Sequence, residues 1–138
     1  MDKVDVNDLE TKKMIADYME AGYLENIIDM FKHDVSLYSY VGELLTDERM
    51  RVRIGITALL EEMKKEDPEN VKKALPFIIP LLNNQNPTNR GDAAYLLGII
   101  GDKDSVPHLK KLLEDEDPSV RLIAKEAIEE LETKKANS

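Results

Sequence analysis

The chain has 138 residues, 42% of them hydrophobic and 34% charged, with a net charge of −9 and no cysteine. That length suits one domain with a continuous core, and the composition is that of a folded protein. Without cysteine, disulfides, zinc–thiolate sites and thiol nucleophiles are excluded. The acidic balance argues against unspecific binding to nucleic acid or anionic membrane.

Charge is unevenly placed. Residues 1–50 hold 5 Lys+Arg against 12 Asp+Glu, whereas the other 88 residues hold 14 against 16. Five of the seven aromatics and five of the six methionines also fall in the first 50. The opening stretch MDKVDVNDLE is acidic and lacks the apolar core of a secretory signal, and no apolar run approaches the ~18 residues of a membrane span. The expected compartment is the cytoplasm.

In chain order, a first helix is expected from Asn7, with Glu10 completing a capping-box pattern and Gly22 ending it in the left-handed conformation. Leu24, Ile27, Ile28 and Phe31 follow at i, i+3, i+4 and i+7, the spacing of a second, short helix. Asp34 is placed to cap a third, with Leu37, Val41, Leu44 and Leu45 inward. A longer helix follows Asp47, its stripe being Val52, Ile56, Leu59, Leu60 and Met63.

Asp67-Pro68, Asn86-Pro87 and Asp117-Pro118 each read as an N-cap followed by proline at the first helical position, where its missing N–H costs nothing. The helix after Pro68 carries Val71, Ala74, Leu75, Ile78 and Leu82 at helical spacing, yet holds Pro76 and Pro80. Proline removes an intrahelical bond, so a kink or break is expected near Leu75. From Pro87 to Ile100 the inward set is Ala93, Leu96, Leu97 and Ile100, with Gly101 as terminator. A short helix from Ser105 turns Val106, Leu109, Leu112 and Leu113 inward. The last helix, from Pro118, buries Val120, Ala124, Ala127, Ile128 and Leu131, and the tail TKKANS should fray.

The stretch from Asn86 to Leu131 states one pattern nearly twice. Arg90 and Arg121 each follow a proline, with Ala93 and Ala124 three residues on and Leu97 and Ile128 seven residues on. A repeat of about 31 residues is a solenoid signal. No strand alternation or hairpin turn appears, and each helix has one apolar stripe that a neighbour must cover. The expected fold is all-α: a right-handed α-solenoid of stacked antiparallel helical hairpins, with about eight helices. Residues 1–46 form atypical N-terminal capping helices, 47–85, 86–116 and 117–133 the repeat units, and 134–138 a frayed tail.

Asp117-Pro118-Ser119-Val120-Arg121 with Ala124 and Ile128, and Asn86-Pro87 with Arg90, Ala93 and Leu97, resemble HEAT repeats, of the short phycobilin-lyase-like kind. A weaker copy is Val52-Arg53 with Ile56 and Leu60. The resemblance covers residues 47–133 and implies a HEAT/armadillo-like superhelix. It also implies a ladder in which the acid before each first helix meets the arginine after it. Asp117 and Arg121 match that pattern in full and Asn86 and Arg90 in part. The copy around Arg53 departs, having Arg49 where the acid would stand, and 37 residues separate Arg53 from Arg90.

Chemistry-bearing motifs are scarce. His33 and His108 are far apart and have no metal-ligand spacing; a helix-end cation suffices for His33. No serine lies in a nucleophile-elbow context. The run Glu114-Asp115-Glu116-Asp117 reads as solvated loop plus N-cap, and Asp102-Lys103-Asp104 lacks the glycine and distal glutamate of a calcium loop. Arg90-Gly91-Asp92 spells an adhesion tripeptide inside a helix, a coincidence. Gly55 and Gly91 suit close helix packing. No catalytic residue, metal site or cofactor is expected.

The resemblance places the second helices, 69–83 and 105–114, on the inner face. There Lys73 and Lys111 point away from the buried stripes, with Lys72, Lys110 and His108 beside them and Phe77, Pro76 and Pro80 also outward. This basic, partly apolar strip suits an acidic or amphipathic segment of a protein or peptide partner; the plainer alternative is solvated lysines, with Phe77 packed on the next repeat. A second candidate is the N-terminal third, where Tyr18, Tyr23, Tyr38, Tyr40, Met14, Met19, Met30 and Met50 suit either an interface or a cap. The expected function is a non-enzymatic scaffold or adaptor. The alternative is an accessory, lyase-like or regulatory subunit of an enzyme acting on a protein-bound substrate. Neither nucleic acid nor membrane is an expected partner, and the pattern leaves room for a homo-oligomer.

Overall fold

The computed structural model describes residues 6–136, with side chains from residue 8 to residue 133. Eight α-helices run in order: α1 (Val6–Ala21), α2 (Leu24–His33), α3 (Val41–Leu44), α4 (Met50–Glu66), α5 (Leu75–Ile78), α6 (Pro87–Ile100), α7 (Val106–Lys110) and α8 (Pro118–Ala136). Five 3₁₀ segments extend the short ones: Val35–Tyr40 before α3, Asn70–Ala74 and Ile79–Asn83 around α5, Lys103–Ser105 and Lys111–Glu114 around α7. Among the described residues there is no strand, and no helix is long and apolar enough to cross a membrane.

The helices stack in two rows. α1, α4, α6 and α8 lie side by side in the first; the composite segments 35–44, 70–83 and 103–114 do so in the second. A single apolar core fills the space between, and every helix from α1 to α8 contributes to it. Val52, Ile56, Leu59, Leu60 and Met63 of α4 are wholly buried. Each such side chain adds ~1.5–3 kcal/mol of transfer free energy.

The N-terminal third continues both rows. α1 lies along α4, where Met19 packs so closely on Gly55 that an added Cβ would sit 2.7 Å from the methionine sulfur. α3 lies along α5, and a Cβ on Gly42 would meet the Phe77 carbonyl oxygen at 2.6 Å. Helix α2 is the extra piece, burying Ile27, Ile28 and Phe31 against its neighbours and joined to α4 by the Lys32–Glu66 ion pair at 2.5 Å. Gly22, at φ +90°, lets the chain leave α1. α1 already includes Val6, ahead of the expected cap Asn7, whose side chain lies outside the described residues. α8 runs through Ala136, so the tail TKKANS stays helical over its first four residues where fraying is expected, and its last two lie outside the described residues.

Tyr38 is 1% exposed and stacks edge-on to Phe31 at 5.1 Å. Its hydroxyl has no hydrogen-bond partner among the described residues, and burial, helped by the charge of Asp67, pushes its pKa up to about 12. A buried hydroxyl without a partner loses its water and gains nothing. Tyr38→Phe should therefore leave stability unchanged or raise it by up to ~1 kcal/mol, measured by urea unfolding.

The turn chemistry repeats three times. Asp47, Asn84 and Asp115 each accept the backbone N–H of the residue two further on, at 2.9 Å in every copy. Asn86 then caps α6 through Thr88 N–H (2.8 Å), and Asp117 caps α8 through Ser119 and Val120 N–H (2.8 and 3.2 Å), as their Asx-Pro signatures predict. An arginine in the first turn reaches back to the loop carbonyls. Arg53 bonds those of Asp47 and Glu48 (2.6 and 3.0 Å), Arg90 those of Asn84 and Gln85 (2.9 and 3.1 Å), and Arg121 that of Asp115 (2.6 Å).

The ladder differs from the expected pairing. Asp117 uses its carboxylate on its own helix, and the acid that meets an arginine is Asp115, two residues earlier. It accepts Arg90 Nε and one terminal nitrogen, both at 2.9 Å. Asp115 is thus a buried partner, not part of a solvated loop. Arg49, in the cap slot of α4, instead ties α4 to Asp17 of α1 (3.0 Å) and to Asp47 (3.1 Å).

The second-row segments are where helix geometry departs from the periodicity. Around Pro76 and Pro80 the chain stays helical but changes from 3₁₀ to α at Leu75 and back at Ile79. Asp67 still caps the turn, accepting Asn70 N–H on its carboxylate (3.3 Å) and Val71 N–H on its carbonyl (3.1 Å). The last segment starts at Lys103, not Ser105, because Asp102 and Ser105 form a capping box. Leu113, expected inward, is 40% exposed. From Lys111 the segment is 3₁₀, at about 120° per residue, so Leu113 falls about 100° round from Leu109 where a continuous α-helix would leave it at about 40°. Gly101 ends α6 with ordinary φ; its place is spatial, since a Cβ would fall 2.4 Å from the Leu97 carbonyl oxygen.

Candidate functional site

The basic strip expected on the second row is present in part. Lys72, Lys73, Lys110 and Lys111 are all exposed and form no ion pair among the described residues. His108 and Lys111 line a 260 Å³ cleft with Ile79, Pro80, Leu82, Asn83 and Leu112. Phe77 is 39% exposed, its ring outward while its backbone meets Gly42. Leu113 adds an apolar group that the periodicity had turned inward.

The cations do not form one cluster. His108 and Lys111 stand level with Ile79–Asn83, whereas Lys72 and Lys73 lie about seven residues earlier on that segment, roughly 10–14 Å along its axis at helical rise. The surface is a diagonal pair of basic points with Phe77 between them along the chain. It can hold two acidic side chains of an extended or helical segment, with an apolar residue over Phe77.

His33 is exposed and its Nδ1 lies 2.8 Å from the Asp29 carbonyl oxygen, at the end of α2. Among the described residues, no group of three or more His, Cys, Asp or Glu side chains is placed to hold a metal ion. The Arg90-Gly91-Asp92 tripeptide is unavailable as a recognition loop: Arg90 and Gly91 are buried, and Arg90 is committed to Asp115. In the N-terminal third, Tyr38 and Met19 are core, whereas Tyr18 and Tyr23 are exposed and stack edge-on at 5.7 Å.

A larger cleft of 460 Å³, outside the surfaces expected from the sequence, opens on the first row. It lies between α4 and α6, lined by Met50, Arg53, Ile54, Thr57, Ala58, Glu61, Thr88, Asp92 and Tyr95. Tyr95 donates its hydroxyl to Glu61 at 3.0 Å. Asp92 is half-buried, and this burial pushes its carboxyl pKa up while the nearby Arg53 charge opposes the shift. A signal was available: Thr88, Asp92, Tyr95 and Ile99 recur at i, i+4, i+7 and i+11, the one line of α6 that is not buried.

Two rows of stacked helices, with a loop clamp repeated ahead of α4, α6 and α8 and clefts on both rows, define a helical-repeat solenoid. Residues 39–129 match the family model for HEAT repeats, which is more than half of the chain, and the protein belongs to that family. The match begins within the segment 35–44, which stacks on the later units, and does not single out the phycobilin-lyase-like kind. No curated protein matches the chain significantly.

Proposed function

We propose that the protein is a non-enzymatic interaction scaffold of the cytoplasm, whose second-row face holds an acidic or amphipathic segment of a partner protein. HEAT repeats typically serve protein–protein interaction, which supports this reading. The observation that carries the reading is the set of unpaired cations on an acidic chain. With a net charge of −9 there is no shortage of carboxylates, yet Lys72, Lys73, Lys110 and Lys111 stay exposed and without an ion pair among the described residues, beside Phe77 and the His108–Lys111 cleft. Local charge of the opposite sign steers encounter and sets orientation more than it adds affinity.

The test is capture from source lysate by wild type and by Lys73→Glu/Lys111→Glu, read by mass spectrometry. Both side chains are exposed, so the variant should keep its circular dichroism and melting temperature. A partner held by wild type and reduced about tenfold or more by the folded variant is the expected result. Equal capture by both would take binding off this face.

A further inference from the structure

The first row carries a surface of the opposite sign. Met50, Ile54 and Tyr95 are 63%, 59% and 44% exposed, an apolar bed across α4 and α6. On the far side of Tyr95 a second cleft of 210 Å³ continues it, lined by Gly98, Ile99, Ile123, Glu126, Ala127 and Glu130. The acids along these two clefts are Glu61, Asp92, Glu126 and Glu130, set against one cation, Arg53. Arg53 turns one terminal nitrogen away to the carbonyls of Asp47 and Glu48.

Asp92 is the telling residue. It sits on the sixth position of α6, past the first turn where a carboxylate would favour the helix dipole. It caps nothing, and its carboxylate makes no hydrogen bond or ion pair among the described residues. Partial burial disfavours its charged form despite the nearby Arg53 charge, so the fold gains no stability from this carboxylate.

We propose that the face formed by α4, α6 and α8 is a docking surface for a basic amphipathic segment of another protein. Lysine or arginine stems lie over Met50, Ile54 and Tyr95, and their charged ends meet Asp92 and Glu126. Long basic side chains suit such a bed because their methylenes cover apolar surface while their heads stay polar. The Tyr95 ring adds a face on which a cation is attracted. This site is independent of the lysine face and lies on the other row, so the two faces together let one small stack join two partners of opposite charge.

The probe is a fluorescein-labelled amphipathic peptide of leucine and lysine, about 18 residues or five helical turns, titrated by anisotropy at about 150 mM salt. Wild type should bind in the micromolar range. Asp92→Asn/Glu126→Gln should weaken binding about tenfold, and Met50→Ser/Ile54→Ser should do so without any change of charge. Asp92→Asn should not lower the melting temperature, because it relieves an unpaired charge. Glu25→Gln/Glu114→Gln, the same charge change on exposed residues elsewhere, should stay within about twofold of wild type. Equal weakening by cleft and control variants would reduce the effect to net charge and overturn the proposal, as would no binding by wild type.

Discussion

Arg90→Ala is expected to lower the melting temperature by about 10 °C or more, the largest effect of any single charge among the described residues. The side chains of Arg90 and Asp115 are only 10% and 8% exposed, and two parallel hydrogen bonds of 2.9 Å join them across the α6–α8 boundary. Truncating the arginine leaves Asp115 in place without its counter-charge and strips two loop carbonyls of their donor. Losing one partner of a buried pair costs far more than the pair itself contributes. Arg121→Ala is the control: that guanidinium makes the same reach back to a carbonyl, at 2.6 Å, but is exposed and paired with no acid among the described residues. It should shift the melting temperature by no more than about 3 °C.

The pair also sets an acid limb. The Arg90 guanidinium beside Asp115 holds its carboxyl below the usual carboxylate range. With its folded pKa depressed, Asp115 binds a proton more readily in the unfolded chain. Its stabilisation is therefore complete above about pH 4 and is lost as pH falls through the lower folded value. The gap in melting temperature between wild type and Arg90→Ala should narrow between about pH 7 and about pH 3, leaving the part due to the lost carbonyl contacts. A gap that stays the same at both would mean that the charge of Asp115 is irrelevant.

Gly98→Val is expected to cost ~2–3 kcal/mol in urea unfolding. A Cβ at Gly98 would lie 2.9 Å from the Ala127 Cβ and 3.0 Å from its Cα. That neighbour is at the backbone of α8, so relief requires α6 and α8 to part along the most intimate contact of the first row. The contrast is Gly91→Ala, where the nearest atom is the Cδ1 of Ile123 at 3.2 Å. The far end of a flexible side chain can yield, and alanine recovers up to ~1 kcal/mol of helix propensity. That substitution should be neutral or stabilising, although both glycines are buried on the same helix.

What the sequence makes legible here is what is local. The stripe from Val52 to Met63 follows from 3.6-residue spacing, and the caps at Asn86 and Asp117 follow from an acceptor one residue before proline. Leu113 faces outward where α-helical spacing turns it inward, because the chain tightens to 3₁₀ from Lys111 onward. The role of Asp115 is not local: the cap rule points to Asp117, and which of two nearby acids reaches Arg90, 25 residues away, depends on how the units stack. The same limit applied to the first-row cleft. Asp92 and Tyr95 are visible as a polar line on α6, but only the stack brings Ile54 and Met50 across from them.

The most direct test of a scaffold with two faces of opposite charge is a pair of NMR titrations of the ¹⁵N-labelled protein. One uses an acidic amphipathic peptide and the other a basic one. The acidic peptide should move amides of 72–77 and 108–113 on the second row. The basic peptide should move those of 50–61, 88–99 and 123–130 on the first. Overlapping perturbations from the two peptides, or none from either, would contradict a stack that presents two distinct docking faces.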